Sequence, residues 1–462
     1  MGKWIYRILC LLTLLVFVAI FLQEKYRLVD IEALSGAVEK TEKPIFSFAS
    51  YRSGEYQAAL EKFSKENFGF RETFIRCYNQ YLWKFYKSTN TPDVVAGKDG
   101  WLYEPCFVQE YYEGLMYKYT DDVNVIQQKL RTEAKRLYFI QEILKQYGVQ
   151  MFVMIEPGKE RIYPEYLPDN IWYEREKKFS AADYYPLVFD TLGVNCINMC
   201  AWFESQKGKV DYPLYPQTAT HWSNIAALHV TDTLIRYMEK LGNTNLHNLS
   251  IGEPYICETF DPDKDLEKLL NLQFSILDIP NKYAEFSIDN DTTASKPNLL
   301  SIGDSYFWNI SYHINLDDIF SSHHFWYYNS TVYYDDRYTS TSQLDVLSEL
   351  LNNDYLMLSY CTAQLYDMPN MFSANALISL CFDDERIAEK IESIKRGMNA
   401  SEEWLASLQQ KADEQGRSLD EIMYDDARYL IFMDPEQYFD ELSGDAVPQC
   451  RNSRIDEILS RK

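Results

Sequence analysis

The fold is decided by the stretch Asn298-Leu299-Leu300-Ser301-Ile302-Gly303-Asp304-Ser305-Tyr306-Phe307. An apolar run of strand length meets a Gly-Asp-Ser turn, and aromatic residues of a predicted helix follow. In a parallel sheet, this order of strand, turn and helix lifts one hydroxyl to the carboxyl edge of the sheet. Ser305 is therefore the candidate nucleophile. Gly, Asp and Ser are common in turns for backbone reasons alone, so the tripeptide by itself does not identify a nucleophile, and the rest of the chain has to be considered with it.

Apolar strands alternate with amphipathic helices on both sides of this stretch. Continuous apolar runs predict strands at 149–155, 194–197 and 355–360, and an aromatic-rich strand region at 325–334. Apolar residues spaced by three and four predict helices from a Thr120 cap to Gly148, at 181–192, at 223–241 and at 342–351, with a polar loop at 287–296. This alternation predicts an α/β fold with a doubly wound, mostly parallel sheet covered by helices on both faces.

The C-terminal part of the chain departs from this pattern. From about residue 384 the sequence predicts helices at 387–398, 402–413 and 419–432 and no strands. These helices either pack on the α/β core as a cap or contact another protein, and packing is the more frequent outcome. The predicted organisation is a transmembrane signal anchor (1–23), a stalk (24–46), an α/β domain (47–383) and a helical C-terminal extension (384–462).

The N-terminus has the pattern of a membrane anchor. Lys3 and Arg7 flank an apolar run at 8–22, which approaches the span of a bilayer when residues 4–6 are added. No small-x-small cleavage site follows the run, and Cys10 lies too early in it to be a lipoprotein cysteine. We therefore expect an uncleaved, single-pass anchor with the body of the protein on the non-cytoplasmic side.

Charge and cysteine usage exclude several classes of function. The 462 residues include 45 basic and 69 acidic side chains, a net charge of −24 that disfavours nucleic acid as a partner. Eight cysteines lie outside the anchor without a Cys-x-x-Cys pair, and the six histidines are scattered, so no zinc site is indicated. Disulfides are permitted in an exported protein, but their pairing stays open, and buried free thiols are the alternative.

A second polar stretch, at 215–223, contains the candidate base. His221 lies just before the predicted N-cap Ser223, in a threonine-rich loop at a helix start. A histidine in such a loop has fewer structural roles than one in a packed core. A lone histidine is nevertheless more often a surface residue than a base, so its meaning depends on its combination with Ser305.

Five short motifs supply that combination. In chain order they are Asn67-Phe68-Gly69-Phe70-Arg71 with a downstream Asn79; Gly97-Lys98-Asp99-Gly100-Trp101-Leu102-Tyr103; Glu156-Pro157-Gly158-Lys159 leading to Ile162-Tyr163-Pro164-Glu165-Tyr166-Leu167-Pro168; Thr220-His221-Trp222-Ser223; and Gly303-Asp304-Ser305. In this order the sequence resembles the SGNH hydrolase-like acyltransferases of the alginate O-acetyltransferase (AlgJ/AlgX-like) family. The resemblance covers about residues 47–381 and implies an SGNH-type α/β domain.

The resemblance implies catalytic roles for two residues. Ser305 would take the acyl group, His221 would act as general base and then as acid, and the Ser305 N–H would contribute to an oxyanion hole. The family motif has an acid two residues before the histidine, where this sequence has Ala219. Such an acid orients the imidazole and stabilises the imidazolium. Asp211, Asp304 or Glu160, or a backbone carbonyl, are the predicted substitutes, and a slow Ser–His dyad or an inactive site are the alternatives.

Four further residues are candidate supporting groups, namely Asp304, Tyr312, Arg337 and Lys159. Lys159 follows a strand end, where α/β folds place ligand groups, although a solvated turn explains it equally well. Tyr312 and Arg337 come after the nucleophile at distances that can return to the site. The aromatic clusters at 325–328 and 333–334 offer stacking surfaces for sugars, but sheet core is their more frequent role.

Two functional hypotheses follow. The first is transfer or hydrolysis of an acyl group, expected to be acetyl, on an extracytoplasmic polysaccharide through a Ser305 acyl-enzyme, without metal or organic cofactor. The second is a glycan-binding or assembly component of an exopolysaccharide system that kept the fold and lost the carboxylate at Ala219. We expect the inner membrane with the body in the periplasm, a carbohydrate polymer as substrate, and a membrane acyltransferase partner that supplies acetyl groups from inside the cell.

Overall fold

The computed structural model describes residues 2–36, 41–115, 120–169, 179–334, 337–368, 371–450 and 452–461. Its strands are β1 (Val95–Ala96), β2 (Leu102–Tyr103), β3 (Gln150–Glu156), β4 (Cys196–Asn198), β5 (Leu249–Ile251), β6 (Tyr255–Ile256), β7 (Lys282–Tyr283), β8 (Phe286–Ile288), β9 (Asn298–Gly303), β10 (Ser322–Tyr327), β11 (Thr331–Tyr333), β12 (Tyr338–Ser340) and β13 (Tyr355–Cys361).

One sheet dominates the described part of the chain. Its seven strands follow the order β12-β11-β10-β9-β13-β3-β4. The run from β10 to β4 is parallel, and β11 and β12 add an antiparallel edge. Three two-stranded pairs, β1 with β2, β5 with β8 and β6 with β7, lie outside it. The predicted α/β class with a mostly parallel sheet is confirmed.

The helices are α1 (Gly2–Tyr26), α2 (Phe48–Ser53), α3 (Glu55–Asn67), α4 (Arg71–Tyr86), α5 (Pro105–Tyr112), α6 (Val123–Gln146), α7 (Lys159–Ile162), α8 (Ala181–Leu192), α9 (Met199–Gln206), α10 (Asn224–Gly242), α11 (Asp265–Leu269), α12 (Tyr306–His313), α13 (Val346–Asn352), α14 (Phe372–Cys381), α15 (Asp384–Ala400), α16 (Glu402–Gln415), α17 (Leu419–Met433), α18 (Pro435–Tyr438), α19 (Asp440–Ser443) and α20 (Arg454–Leu459).

Both faces of the sheet are buried under helices. On β3, Val153 points into one hydrophobic core, which α6, α8, α13 and α14 complete. The neighbouring Met154 points into a second core, shared with α9, α10 and α12. The same alternation along β9 and β13 explains why these strands appear in the sequence as continuous apolar runs. Since the strands are parallel, β3, β9 and β13 all end at one edge, where the candidate residues collect.

The C-terminal helices pack on the α/β core. Buried side chains of α15, α16 and α17, among them Ile391, Leu408 and Ile422, belong to the same hydrophobic core as α6 and the sheet. In addition, Arg136 on α6 donates hydrogen bonds to the Glu436 carboxylate on α18. The cap arrangement is therefore the one observed, and these contacts join the extension to the face of the sheet opposite α10.

The N-terminal helix is the one segment in the described residues that is long and apolar enough to cross a membrane, at Lys3–Tyr26. This length and composition suit a single-pass anchor or a signal sequence. The predicted stalk lies against the body: the Ser35 N–H donates to Asn271 Oδ1 at 2.7 Å. Gly69 approaches α1 so closely that a Cβ there would meet the Ile20 carbonyl oxygen, which explains the glycine of the first motif.

Two predicted local features are wrong. Asp122, and not Thr120, caps α6: its carboxylate accepts the Asn124 N–H at 2.9 Å, while the Thr120 hydroxyl accepts the Asp122 N–H at 3.2 Å. The predicted loop at 287–296 also begins inside a strand, because Ser287 pairs with Ser250 in the antiparallel β5–β8 pair. That pair joins segments far apart in sequence, which short-range patterns do not detect.

Candidate functional site

Ser305 stands on the turn that joins β9 to α12. Gly303 ends the strand against β13, where a Cβ would lie 2.1 Å from the Ser359 carbonyl oxygen, so that a side chain is excluded at this position. The buried Asp304 carboxylate accepts hydrogen bonds from the Tyr306 N–H at 3.0 Å and the Cys361 N–H at 2.8 Å. These bonds tie the turn to its own helix and to the neighbouring strand, and Ser305 is left partly exposed above them.

Asp304 is one of two neighbouring buried acids, the other being Glu156. Glu156, the last residue of β3, is fully buried, and burial followed by the nearby Asp304 charge raises the pKa of Glu156 well above its usual range. Glu156 is therefore the member of the pair that holds a proton. Both oxygens of the Asp304 carboxylate accept backbone N–H groups, so this residue supports the turn; burial raises its pKa as well, and the nearby His221 opposes that rise.

His221 meets Ser305 from the loop before α10. The Ser223 side chain accepts the Ala226 N–H and caps that helix, as predicted. His221 Nε2 lies 2.9 Å from Ser305 Oγ, and the imidazole edge packs on the Tyr306 ring with centroids 4.8 Å apart. This distance is a hydrogen bond, and it has the geometry required of a nucleophile and its base.

A carboxylate faces the other side of the imidazole. Asp265, the first residue of α11, places Oδ2 3.6 Å from His221 Nδ1, within ion-pair distance. Its Oδ1 accepts hydrogen bonds from the Thr220 N–H at 2.9 Å and the Leu266 N–H at 2.7 Å. The carboxylate is thus fixed to the residue next to the histidine. A proton on Nδ1 facing Asp265 leaves Nε2 free to accept the Ser305 proton.

Asp265 is the residue that the sequence analysis missed. Of the predicted substitutes for the acid, Asp211 forms an exposed ion pair with Lys282 at 2.9 Å, and Asp304 is engaged beneath the turn. Glu160 is buried, and burial raises its pKa to about 7, a shift that the charges of Arg161 and Lys159 oppose. The one available signal was an acidic helix start, Asp261-Pro262-Asp263-Lys264-Asp265, which by itself indicates only capping.

Lys159 holds the histidine loop from below. Its buried ammonium donates to the carbonyl oxygens of Pro216 and Gln217, each at 3.3 Å, and of Ala219. It also lies 5.2 Å from the centre of the Tyr103 ring. Burial lowers the pKa of Lys159 to about 7. The position that is acidic in the family motif therefore serves here as a backbone acceptor for a buried lysine.

Glu104 adds a second carboxyl group beside the loop. Its Oε2 accepts the Thr220 hydroxyl at 3.2 Å, and its Oε1 accepts a weak bond from the Cys106 thiol at 3.5 Å. Burial raises the pKa of Glu104, and the nearby His221 opposes that shift. Together, Glu104 and Asp265 hold both the side chain and the backbone of the residue that precedes the histidine.

Two of the predicted supporting residues lie elsewhere. Tyr312 is exposed on the last turn of α12, and its ring contacts His313. Arg337 is exposed near the sheet edge, where its guanidinium lies 5.0 Å from the centre of the Tyr334 ring. The structure therefore brings together Ser305, His221, Asp304 and Lys159, with Asp265 added, and leaves Tyr312 and Arg337 outside the cluster.

In the described residues, no group of three or more His, Cys, Asp or Glu side chains is arranged to hold a metal ion.

Comparisons with known proteins support the predicted relationship. Residues 94–299 match the family model of the SGNH hydrolase-like domain of acetyltransferase AlgX, a range that includes His221 and Asp265 and ends before Ser305. No curated protein matches the chain.

Several solved structures are similar to this chain. The chain is similar to the O-acetyltransferase domain of Pseudomonas putida AlgJ, with 18% identity, a TM-score of 0.40, and coverage of 65% of this chain and 98% of that one. Pseudomonas aeruginosa AlgX follows with 12% identity, a TM-score of 0.36 and coverage of 61% and 68%. Bacillus cereus PatB1 has 12% identity, a TM-score of 0.35 and coverage of 59% and 96%.

The resemblance that the five sequence motifs predicted is thus confirmed by the family model, over the part of the chain that includes the histidine loop. Residues 94–299 of the chain are therefore similar to the SGNH hydrolase-like domain of acetyltransferase AlgX.

Proposed function

We propose that this protein transfers an acetyl group on a polysaccharide through a Ser305 acyl-enzyme, with His221 as the base and Asp265 as the acid that orients it. The observation that carries the proposal is the hydrogen bond of 2.9 Å between His221 Nε2 and Ser305 Oγ. Hydrolysis of the same ester is the second outcome of this chemistry, when water replaces the sugar hydroxyl as acceptor. The acetyl group and the glycan acceptor come from the family relationship.

The first half of the reaction forms the acyl-enzyme. Ser305 Oγ attacks the carbonyl carbon of the acyl donor while its proton passes to His221 Nε2. Asp265, 3.6 Å from Nδ1, stabilises the imidazolium that forms. The oxyanion develops next to the Ser305 N–H, at the N-terminus of α12, where backbone N–H groups lack helical acceptors. Collapse of the intermediate expels the donor alcohol, which takes its proton back from His221.

The second half repeats these steps with an acceptor hydroxyl. His221 removes the proton of the sugar hydroxyl as its oxygen attacks the acyl carbonyl carbon. The Ser305–acyl bond then breaks, and Ser305 Oγ recovers a proton from the imidazolium. The open edge of the sheet leaves Ser305 partly exposed, as an acyl-enzyme that must admit a polymer requires.

The alternative is a glycan-binding or assembly protein with an impaired site. That hypothesis predicts a histidine turned away from a covered serine, with no carboxylate near the ring. The hydrogen bond to Ser305 and the approach of Asp265 both favour the enzyme: the first joins the proposed nucleophile to its base, and the second supplies a carboxylate that the Ala219 position lacks. Ala219 itself is fully buried and unavailable to ligands.

The proposed location is the inner membrane, crossed once by α1, with the catalytic body in the periplasm. The apolar helix at Lys3–Tyr26 supports an anchor. In this arrangement a separate membrane acyltransferase supplies acetyl groups from the cytoplasmic side, since a single helix offers no path for them.

The test is acetylation of full-length protein in detergent by p-nitrophenyl acetate, followed by intact-protein mass spectrometry. We expect a burst of nitrophenol and one acetyl adduct, both lost in Ser305→Ala. Ser311→Ala is the matched control, because Ser311 lies on the same helix and its hydroxyl donates to the Trp308 carbonyl. An adduct that persists in Ser305→Ala, or its absence in the wild type, contradicts the proposal and favours the binding role.

A further inference from the structure

Two cysteine sulfur atoms meet where the C-terminal segment returns to the core. Cys381 is the last residue of α14, and Cys450 lies in the segment between α19 and α20. Their Sγ atoms are 2.7 Å apart, closer than two unbonded sulfur atoms pack. Cys381 is buried and Cys450 is partly exposed. No ordinary packing contact of two thiols accounts for this approach.

The backbone around the two cysteines is fixed by separate contacts. The Asn452 side chain donates hydrogen bonds to the carbonyl oxygens of Ser379 at 2.7 Å and Phe382 at 3.0 Å, on either side of Cys381. The Phe382 ring stacks on Phe439 with centroids 4.1 Å apart. The alignment of the two thiols therefore does not depend on the sulfur contact alone, since these groups would hold the two segments together in its absence.

We propose that Cys381 and Cys450 form a disulfide bond in the mature protein. The bond links α14, whose side chains pack in the sheet core, to the segment that follows the helical extension. The two residues are 69 positions apart in sequence, and the segment between them contains helices α15 to α19, so the crosslink closes these five described helices into one loop. It would therefore fasten the far end of the extension to the α/β domain.

The reaction requires an oxidant of the disulfide class. The thiolate of the more accessible Cys450 attacks one sulfur of the oxidant, which breaks the oxidant's S–S bond, forms a mixed disulfide and releases one thiol. The Cys381 thiolate then attacks Cys450 Sγ and releases the second thiol. The two protein thiols lose two protons and two electrons, and the oxidant gains both. Contact with Cys450 and burial raise the pKa of the Cys381 thiol, which favours Cys450 as the cysteine that reacts first.

Such a bond depends on the compartment. Disulfides persist in exported proteins and are reduced in the cytosol, so the proposed periplasmic location permits the bond and a cytosolic location would remove it. A crosslink stabilises mainly by restricting the unfolded chain, and the effect grows with the length of the closed loop. Reduction is therefore expected to lower the stability of the folded protein.

The experiment counts thiols in full-length protein incubated with oxidised glutathione, denatured, and labelled with a maleimide polymer with or without prior reduction. Of the nine cysteines in the chain, seven should react without reductant and nine with it. Cys450→Ser should give eight in both conditions. Cys77→Ser, at an exposed thiol, is the matched control and should give six and eight.

A second measurement tests the role in stability. The reductant should lower the melting temperature of the wild type and of Cys77→Ser, and leave that of Cys450→Ser unchanged. Nine reactive thiols in the unreduced wild type would overturn the proposal. So would a peptide map in which the crosslinked peptides contain a cysteine other than Cys381 and Cys450. Because thiols are counted after denaturation, the result does not require Cys450→Ser to fold.

Discussion

Asp265 Oδ2 lies 3.6 Å from His221 Nδ1, and Asp265 Oδ1 accepts the N–H of the adjoining Thr220. One carboxylate therefore fixes both the loop and the ring it carries. The distance exceeds a hydrogen bond, but catalytic contacts often shorten only when substrate is bound. In the proposed triad the acid therefore lies on α11, and not at the position of Ala219 close to the histidine in sequence.

Asp265→Asn is expected to lower kcat by up to about ten-thousandfold, the loss that the serine-protease triad shows for the same change. The amide oxygen can still accept the Thr220 N–H, so the loop keeps its shape while the charge that favours the imidazolium is lost. Acetylation kinetics with p-nitrophenyl acetate measure the effect. Asp261→Asn is the control, because Asp261 lies in the same acidic turn and pairs with Lys268 at the surface. Equal rates in both variants would exclude Asp265 from the triad.

Lys159→Met is expected to reduce kcat by about a hundredfold, since small displacements of a catalytic group have effects of that size. The loop would lose the ammonium that binds three of its carbonyl groups, and His221 would no longer be held against Ser305. Lys207→Met removes an exposed lysine that pairs with Glu165 at 2.7 Å and serves as control. A fall in kcat without a change in Ser305 acylation stoichiometry identifies positioning; an unchanged kcat contradicts it.

Glu110 gives the stability a pH dependence. Burial raises its pKa to about 8, opposed by the Leu115 N–H and assisted by the charges of Glu160 and Asp183. Between pH 4.5 and 8 the folded protein keeps a proton that the unfolded chain has released, so this group destabilises the fold increasingly as pH rises through that window. Glu110→Gln should raise the melting temperature at pH 8 and change it little at pH 4.5. An identical gain at both pH values would refute this account.

Gly303→Ala should destabilise the protein by about 3 kcal/mol or more, because the new Cβ would meet the Ser359 carbonyl oxygen on the neighbouring strand. Gly397→Ala is the opposite case: Gly397 lies inside α15 with no neighbouring atom near its Cβ position, so it should stabilise by about 0.5–1 kcal/mol. Thermal unfolding distinguishes the two. If Gly303→Ala melts like the wild type, the close β9–β13 contact is not as described.

Much of this architecture was predictable because its signals are local. The β9 strand runs directly into its Gly-Asp-Ser turn, and Ser223 directly precedes the helix that it caps, so hydrophobic periodicity and turn chemistry predict each of them from neighbouring residues. The antiparallel β5–β8 pair was missed because its two strands are separated by a long connection. The Thr120 cap was misplaced by two residues, since both Thr120 and Asp122 have side chains suited to capping.

The sequence by itself determined the α/β fold class, the resemblance to the AlgX-type acetyltransferases and the proposal of Ser305 and His221 as a pair, because each rests on short motifs whose own residues are adjacent along the chain. Only the tertiary structure decided that Asp265 faces the histidine, that Lys159 lies beneath its loop, and that Tyr312 and Arg337 lie elsewhere. These contacts arise where α11, the loop at 216–221 and the end of β9 pack together. Packing joins residues that no spacing in the sequence relates, and so no motif could identify the acid.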